Sequence, residues 1–373
     1  MSDYTVIARR WRPKKFKELV GQQGIVQALS NAILSNRIAH AYLFVGPRGT
    51  GKTSTARLFA MALNCEGGPR LDFDPESERC KAIFQGRSMD VIEIDGASNN
   101  SVEQIRSLRE ECQYAPAESP YKIYILDEVH MLTTAAFNAL LKTLEEPPAH
   151  VKFIFATTEI NKVPNTIVSR CQHFEFFPLD TQTIEQHLKH IVEVEHLQAE
   201  TGALHRIALL AEGGMRDAQS MLDQLLTFSE GCLTEAAVQS MYGLLDTVSL
   251  NRLGNAIEQG DYQIIIESVD HIIQTGCDTY RVLLSLEQYF YQKFLNVVQK
   301  KTAEAYEAFV YAKLLEILKS SETQLQRGLS VRGNLEAILF RAVECIKLAS
   351  IDSLLKILNQ LPEDVKKNDL KTY

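Results

Sequence analysis

The chain has 373 residues, enough for two or three domains with cores of their own. Apolar residues make up 45% of it and charged residues 23%, and the net charge of −8 argues against a protein that coats nucleic acid non-specifically. No long apolar run predicts a membrane span, the basic start MSDYTVIARRWRPKK lacks the apolar segment of a secretory signal, and seven scattered cysteines suit a reducing compartment, so a cytoplasmic protein is expected.

In chain order, short β-rich runs come at AYLFV (41–45), VIEI (91–94), KIYIL (122–126), KFIFAT (152–157) and HFEFF (173–177), with helical patterns between them. That alternation predicts βαβ units and an α/β domain with a parallel sheet over residues 1–178. After Pro178 the strand signals stop. Residues 179–243 read as a small helical domain, broken at Thr201-Gly202 and Gly213-Gly214. Residues 244–365 read as a further all-α domain. There Leu335, Ile338, Leu339, Ala342, Cys345, Ile346 and Ala349 keep a helical period. Residues 366–373 read as a disordered tail. Trp11 reads as packing. The charge is uneven: 21 Lys/Arg against 20 Asp/Glu in residues 1–178, and 18 against 27 beyond. Any nucleic-acid contact is therefore expected as a local patch in the first section.

The strongest chemical signal is GPRGTGKT, comprising Gly46, Pro47, Arg48, Gly49, Thr50, Gly51, Lys52 and Thr53. It fits the phosphate-loop pattern and lies between a strand and a helix, the context that gives the pattern meaning. Glycines let the backbone wrap a phosphate, and the helix N-terminus offers unpaired N–H groups to it. Lys52 would reach the β- and γ-phosphates of ATP and Thr53 would ligate Mg²⁺. In KIYILDEVH (122–130), apolar residues deliver Asp127 and Glu128 to a strand end. Asp127 would hold the Mg²⁺ shell and Glu128 would orient the attacking water. Thr157 and Thr158 end the strand KFIFATTE, where a hydroxyl could polarise phosphate or water. GGMRDA (213–218) places Arg216 at a helix start, against the dipole, which suggests an anion outside the helix. NNSVEQIRSLRE (99–110) sets Asn99, Asn100 and Ser101 before a helix carrying Arg106, a candidate DNA-phosphate contact or a capped surface helix.

These motifs resemble the gamma/tau subunit family of the bacterial DNA polymerase III clamp loader. The resemblance rests on WRPKKFKELVGQ (11–22), HAYLFVGPRGTGKTSTARLFAMALNC (40–65), DEVHML (127–132), FNALLKTLEEPP (137–148), FATT (155–158), IVSRCQHFEF (167–176) and GGMRDAQSMLDQ (213–224). It is dense over residues 4–245 and looser over 246–360. It implies an AAA+ ATPase domain, a helical lid, and a helical collar that joins subunits in a ring. It implies that Arg170 of the SRC motif is a finger acting in trans, that Arg216 contacts nucleotide in its own subunit, and that Thr158 is a sensor. Arg12 and Val20 would flank the adenine. The implied partners are other loader subunits, a sliding clamp, primer–template DNA and the polymerase III holoenzyme.

The chain departs from the family pattern in two places. Many members carry a four-cysteine zinc site after the phosphate-loop helix. Here only Cys65 and Cys80 stand in that segment, with Asp74 and Ser77 at the middle positions, a poor structural set, so no zinc is expected. The chain also ends soon after the collar, like the short form of the family. Two alternatives use the same fold: a non-hydrolysing scaffold subunit, against which the intact Lys52, Thr53, Asp127 and Glu128 argue, and another AAA+ DNA motor, against which the SRC motif argues.

Overall fold

The computed structural model describes residues 5–229, 231–299, 305–325 and 330–360. The proposed tail at 366–373 lies outside the described residues. The chain divides into two compact units, residues 1–235 and 236–373.

The first unit opens with α1 (Ile7–Arg10) and α2 (Gln23–Leu34). It continues through β1 (Ala41–Val45), α3 (Lys52–Asn64), α4 (Glu78–Phe84), β2 (Val91–Asp95), α5 (Val102–Glu111), β3 (Lys122–Asp127), α6 (Thr134–Glu145), β4 (Val151–Thr157), α7 (Asn165–Val168) and β5 (Gln172–Glu175). The five strands form one parallel sheet in the order β2-β3-β4-β1-β5. Side chains alternate across each strand, and both sheet faces are covered, so the inner strands are apolar on both faces apart from Lys122, Asp127, Lys152 and Thr157 near their ends. Tyr42, Phe44, Ile123 and Ile125 pack with Leu58, Phe59 and Leu63 of α3. Leu43, Tyr124, Leu126, Phe153 and Phe155 pack on the other face with Ile105 of α5 and Phe137 and Leu140 of α6. Because β4 lies between β1 and β3, the phosphate loop after β1 and the carboxylates after β3 flank the end of β4. This is the carboxyl edge where open α/β sheets bind ligands.

The rest of the unit is α8 (Thr181–Val194), β6 (Gln198–Ala199), α9 (Thr201–Leu210), α10 (Met215–Phe228) and β7 (Cys232–Leu233). The strand signals do not quite stop at Pro178, since β6 and β7 pair in parallel as a two-residue ladder too short to show a period. Ile184, Leu188, Ile207, Leu222 and Leu225 are buried here. The N-terminal α1 packs on α10, where Ile7 is buried and its N–H donates to Asp223 Oδ1 at 3.3 Å. The linker is pinned as well: Leu179 N–H donates to Gly213 O at 3.1 Å. The Gln22 side chain bonds both backbone groups of Phe177, donating to its O at 2.7 Å and accepting from its N–H at 3.3 Å.

The second unit is helical, with α11 (Glu235–Tyr242) at its start, then α12 (Thr247–Gln259), α13 (Tyr262–Gln274), α14 (Thr279–Gln299), α15 (Ala305–Leu325) and α16 (Val331–Gln360). Its core joins Leu253, Ile257, Ile265, Val269, Leu286, Phe290, Leu314, Leu318, Leu335 and Leu339. No helix among the described residues is long and apolar enough to cross a membrane.

Candidate active site

A cavity of about 410 Å³ opens between the sheet edge and α10 of the first unit. Arg48, Gly49, Thr50, Gly51, Lys52 and Thr53 form its floor, with Asp127 and Glu128 beside them and Arg12, Val20 and Arg216 around the wall. The loop needs its glycines. Gly46, Gly49 and Gly51 have φ of 150°, 76° and 102°, outside the range comfortable for other residues. A Cβ on Gly46 would overlap the Phe176 carbonyl, and one on Gly49 would meet Asp217 Oδ2 at 2.8 Å and Gly214 Cα at 3.0 Å. The Arg216 N–H approaches Gly49 O at 3.4 Å, so the start of α10 rests on the loop.

Lys52 is only 6% exposed, and its Nζ donates to the carbonyls of Gly46 and Pro47 at 2.8 Å each. Burial pushes its pKa down against the pull of Glu128 and Asp127. Burial, with the charges of Arg57 and Arg216, brings the Arg12 guanidinium down to about 10, so it stays charged and crowded by cations. Arg12, Arg48, Lys52 and Arg216 share the wall with the carboxylates of Glu18, Asp95, Asp127 and Glu128, so cationic and metal-ligating groups face the same space. Thr53 Oγ1 donates to Asp127 Oδ2 at 2.5 Å, and Asp127 Oδ1 accepts the Glu128 N–H at 2.9 Å. A hydroxyl and a carboxylate side by side are the hard oxygen donors that Mg²⁺ takes, and the glycine cradle beside them leaves room for phosphate. These residues fit a magnesium nucleotide.

Glu128 has a left-handed backbone (φ 46°, ψ 46°), which for a non-glycine residue costs about 1–3 kcal/mol. Gly96 at the end of β2 lets that strained turn sit close, since a Cβ there would come within 2.7 Å of Glu128 O. The Glu128 carboxylate faces Thr158, whose Oγ1 donates to Oε2 at 3.4 Å. His130 Nδ1 lies 3.4 Å from the same oxygen and 3.2 Å from Thr157 Oγ1, and its Nε2 lies 3.6 Å from Glu159 Oε1. Sequence reasoning missed His130 and Glu159. The only signal was their position two and one residues beyond Glu128 and Thr158.

The other singled-out residues lie elsewhere. Arg170 is on the outer surface, donating to Glu145 Oε1 at 2.6 Å and to Thr166 O at 2.7 Å. Ser101 caps α5 in a capping box with Gln104, beside Asn99 and Asn100, and Arg106 is exposed on that helix. Cys65 and Cys80 are buried in one core cluster, and burial pushes both thiols up. Asp74 and Ser77 build the turn before α4: Asp74 O accepts from Ser77 Oγ at 2.9 Å, and Ser77 Oγ caps Cys80 N. Trp11, read from sequence as packing, also lines the cavity, with its Nε1 donating to Glu195 Oε1 at 2.9 Å and its ring edge-on to His187 and His190. His187 and Gln219 line it too; Gln219 stands inside the GGMRDAQSMLDQ run, but neither residue was singled out from the sequence.

Family models match residues 21–327 with short gaps between them. One described as the delta subunit of DNA polymerase III covers residues 21–180. One described as the ATPase lid domain of the DNA polymerase III clamp loader subunit covers 183–231, and one described as domain III of subunits gamma and tau covers 233–327. The DNA polymerase III subunit tau of Bacillus subtilis is 38% identical over 99% of this chain and 69% of that protein. The gamma subunit of Buchnera aphidicola (from Acyrthosiphon pisum) is 37% identical over 90% of this chain and 94% of its own length. The chain belongs to the DNA polymerase III gamma/tau family. As a family member it is a clamp-loader subunit with an ATPase lid domain. It spans less than half of some longer relatives: the Escherichia coli tau subunit is 44% identical over 76% of this chain and 44% of that protein. Among solved structures, the Thermotoga maritima RuvB Holliday junction branch migration motor is 18% identical over 66% of this chain and 79% of that one, with a TM-score of 0.46.

Proposed function

We propose that the cavity binds ATP with Mg²⁺, and that the chain hydrolyses the ATP as a motor subunit in a ring of clamp-loader subunits. The ring would open a sliding clamp on primer–template DNA, in the cytosol and alongside the polymerase III holoenzyme. The observation that carries this reading is the convergence of Lys52, Thr53, Asp127 and Glu128 around the end of β4, beneath Arg216. Residues 1–178 would be the ATPase domain, 179–243 the lid and 244–365 the collar.

Each residue has a task in this reading. The loop amides from Gly46 to Thr53 and the Lys52 ammonium hold the β- and γ-phosphates. Thr53 and Asp127 supply oxygen ligands for Mg²⁺, which when bound neutralises phosphate charge. Glu128 orients the attacking water, with its carboxylate held by Thr158 and His130. Arg216 contacts the phosphates from the lid, and Arg12 and Val20 border the base. Arg170 serves the nucleotide of the neighbouring subunit. Asn99, Asn100, Ser101 and Arg106 offer a contact to DNA backbone. Catalysis is positioning and charge neutralisation, which suffices for phosphoryl transfer.

Steady-state ATPase of the reconstituted ring tests this, with clamp and primed DNA added separately and together. Turnover should rise most with both. A scaffold subunit that binds ATP without hydrolysing it is the second reading, favoured by the delta-subunit description of the model matching residues 21–180. It predicts no turnover when this chain carries the ring's only intact site.

A further inference from the structure

Three residues on α10 share one face at helical spacing: Arg216, Gln219 and Asp223. One end of that stripe is tied to the phosphate loop, through the Arg216 N–H and Gly49 O at 3.4 Å. The other end is tied to α1, through Asp223 Oδ1 and the Ile7 N–H at 3.3 Å. Gln219 therefore sits roughly one turn, about 5 Å, farther from the loop than Arg216. A nucleotide with its phosphates on the loop would bring its base, not its phosphates, to Gln219.

The amide is already oriented. Gln219 lines the cavity yet is only 5% exposed. Its Nε2 lies 3.2 Å from His187 Nε2. With the amide NH₂ facing the ring it is the donor, and the ring nitrogen accepts in the tautomer that carries its proton on Nδ1. Burial, then the charge of His190, pushes the His187 pKa down and holds that ring neutral. Trp11 packs edge-on to His187 at 6.0 Å between centroids. One of the two Nε2 hydrogens goes to His187, which leaves the side-chain carbonyl and the second N–H to face the cavity. Among the described residues no protein donor engages that oxygen.

Building on the ATP-site reading, we propose that Gln219 reads the base, its Oε1 accepting a hydrogen bond from the exocyclic amino group of adenine. Adenine presents a donor at position 6, whereas guanine and hypoxanthine present an acceptor there. A buried acceptor left facing an acceptor is penalised more than a missing contact, so the site selects ATP and rejects 6-oxo purine nucleotides. His187 is the positioning residue: with its proton on Nδ1 it takes one amide N–H and leaves Oε1 for the base.

The test is binding rather than turnover. Trp11 is the chain's single tryptophan and lines the same cavity, so its fluorescence reports occupancy. The full chain is titrated with non-hydrolysable triphosphates of adenosine, inosine and unsubstituted purine riboside. Wild type should bind the adenosine form about ten-fold tighter than the purine riboside form, the scale of one buried hydrogen bond, and the inosine form more weakly still. Gln219→Met should bind the adenosine and purine riboside forms alike, with the purine riboside affinity unchanged. Equal wild-type affinity for all three overturns the proposal without recourse to any variant, as does a Gln219→Met chain that keeps the wild-type order. Wild type that binds none of the three overturns the ATP-site reading itself.

Discussion

Lys52 and Arg170 are both cations set near strand ends of one sheet, yet their surroundings are opposite. Lys52 is buried, lies in the cavity with Asp127 and Glu128, and is held by two loop carbonyls. Arg170 lies on the outer surface, and its salt bridge is to Glu145, whose side chain is 51% exposed. The difference teaches how the work is divided. On the proposed reading, the groups that would bind phosphates and aim water are gathered within one chain. Arg170 does not line that chain's own cavity. On the proposed reading its guanidinium completes a neighbour's site, so assembly switches on chemistry that binding alone does not.

The largest effect should come from breaking the outer half of this comparison. Arg170→Ala should lower ring turnover by roughly 10³–10⁵, the worth of an arginine finger in other phosphoryl transfers, while leaving ATP affinity of the mutated chain unchanged. Single-turnover rates beside equilibrium binding check both parts. Next comes Glu128→Gln, which removes water positioning and should cost about 10²–10⁴ in turnover with nucleotide still bound. Such a ring should hold a clamp without releasing it. Lys52→Ala acts on binding instead. Losing a charge-assisted contact should weaken ATP affinity by about 10- to 100-fold, read by nucleotide titration. The smallest effect should follow Glu145→Gln. An exposed ion pair contributes under about 1 kcal/mol, so denaturant midpoints should barely move and the arginine should be free to leave its partner.

The sheet was legible because its signals are local. AYLFV and KIYIL mark β1 and β3, and the fully buried β4 contains KFIFAT. The phosphate loop and Asp127-Glu128 were legible for the same reason, each being a short motif bound to a strand end. The order β2-β3-β4-β1-β5 was not written in any one segment, and it sets β4 between the two motifs. Trp11 was read as packing, since nothing local says that α1 folds onto α10, 216 residues away at the Ile7–Asp223 contact. Gln219, although inside GGMRDAQSMLDQ, and His187 were not singled out for a related reason. They come from two helices, α10 and α8, and only the docking of α10 on the loop puts both on the wall of one cavity. The ladder of β6 with β7 joins residues more than thirty apart over two pairs, below any periodic signal.

The most direct test of the division between chains mixes Arg170→Ala chains with Lys52→Ala chains under conditions where subunits are shown to exchange. Each chain alone lacks one essential group. If Arg170 acts across the subunit boundary, some interfaces in a mixed ring pair an intact cavity with an intact arginine. ATPase should then recover in part, with a maximum at intermediate mixing ratios. A flat, inactive response at every ratio would contradict the account and return Arg170 to the status of a surface arginine paired with Glu145.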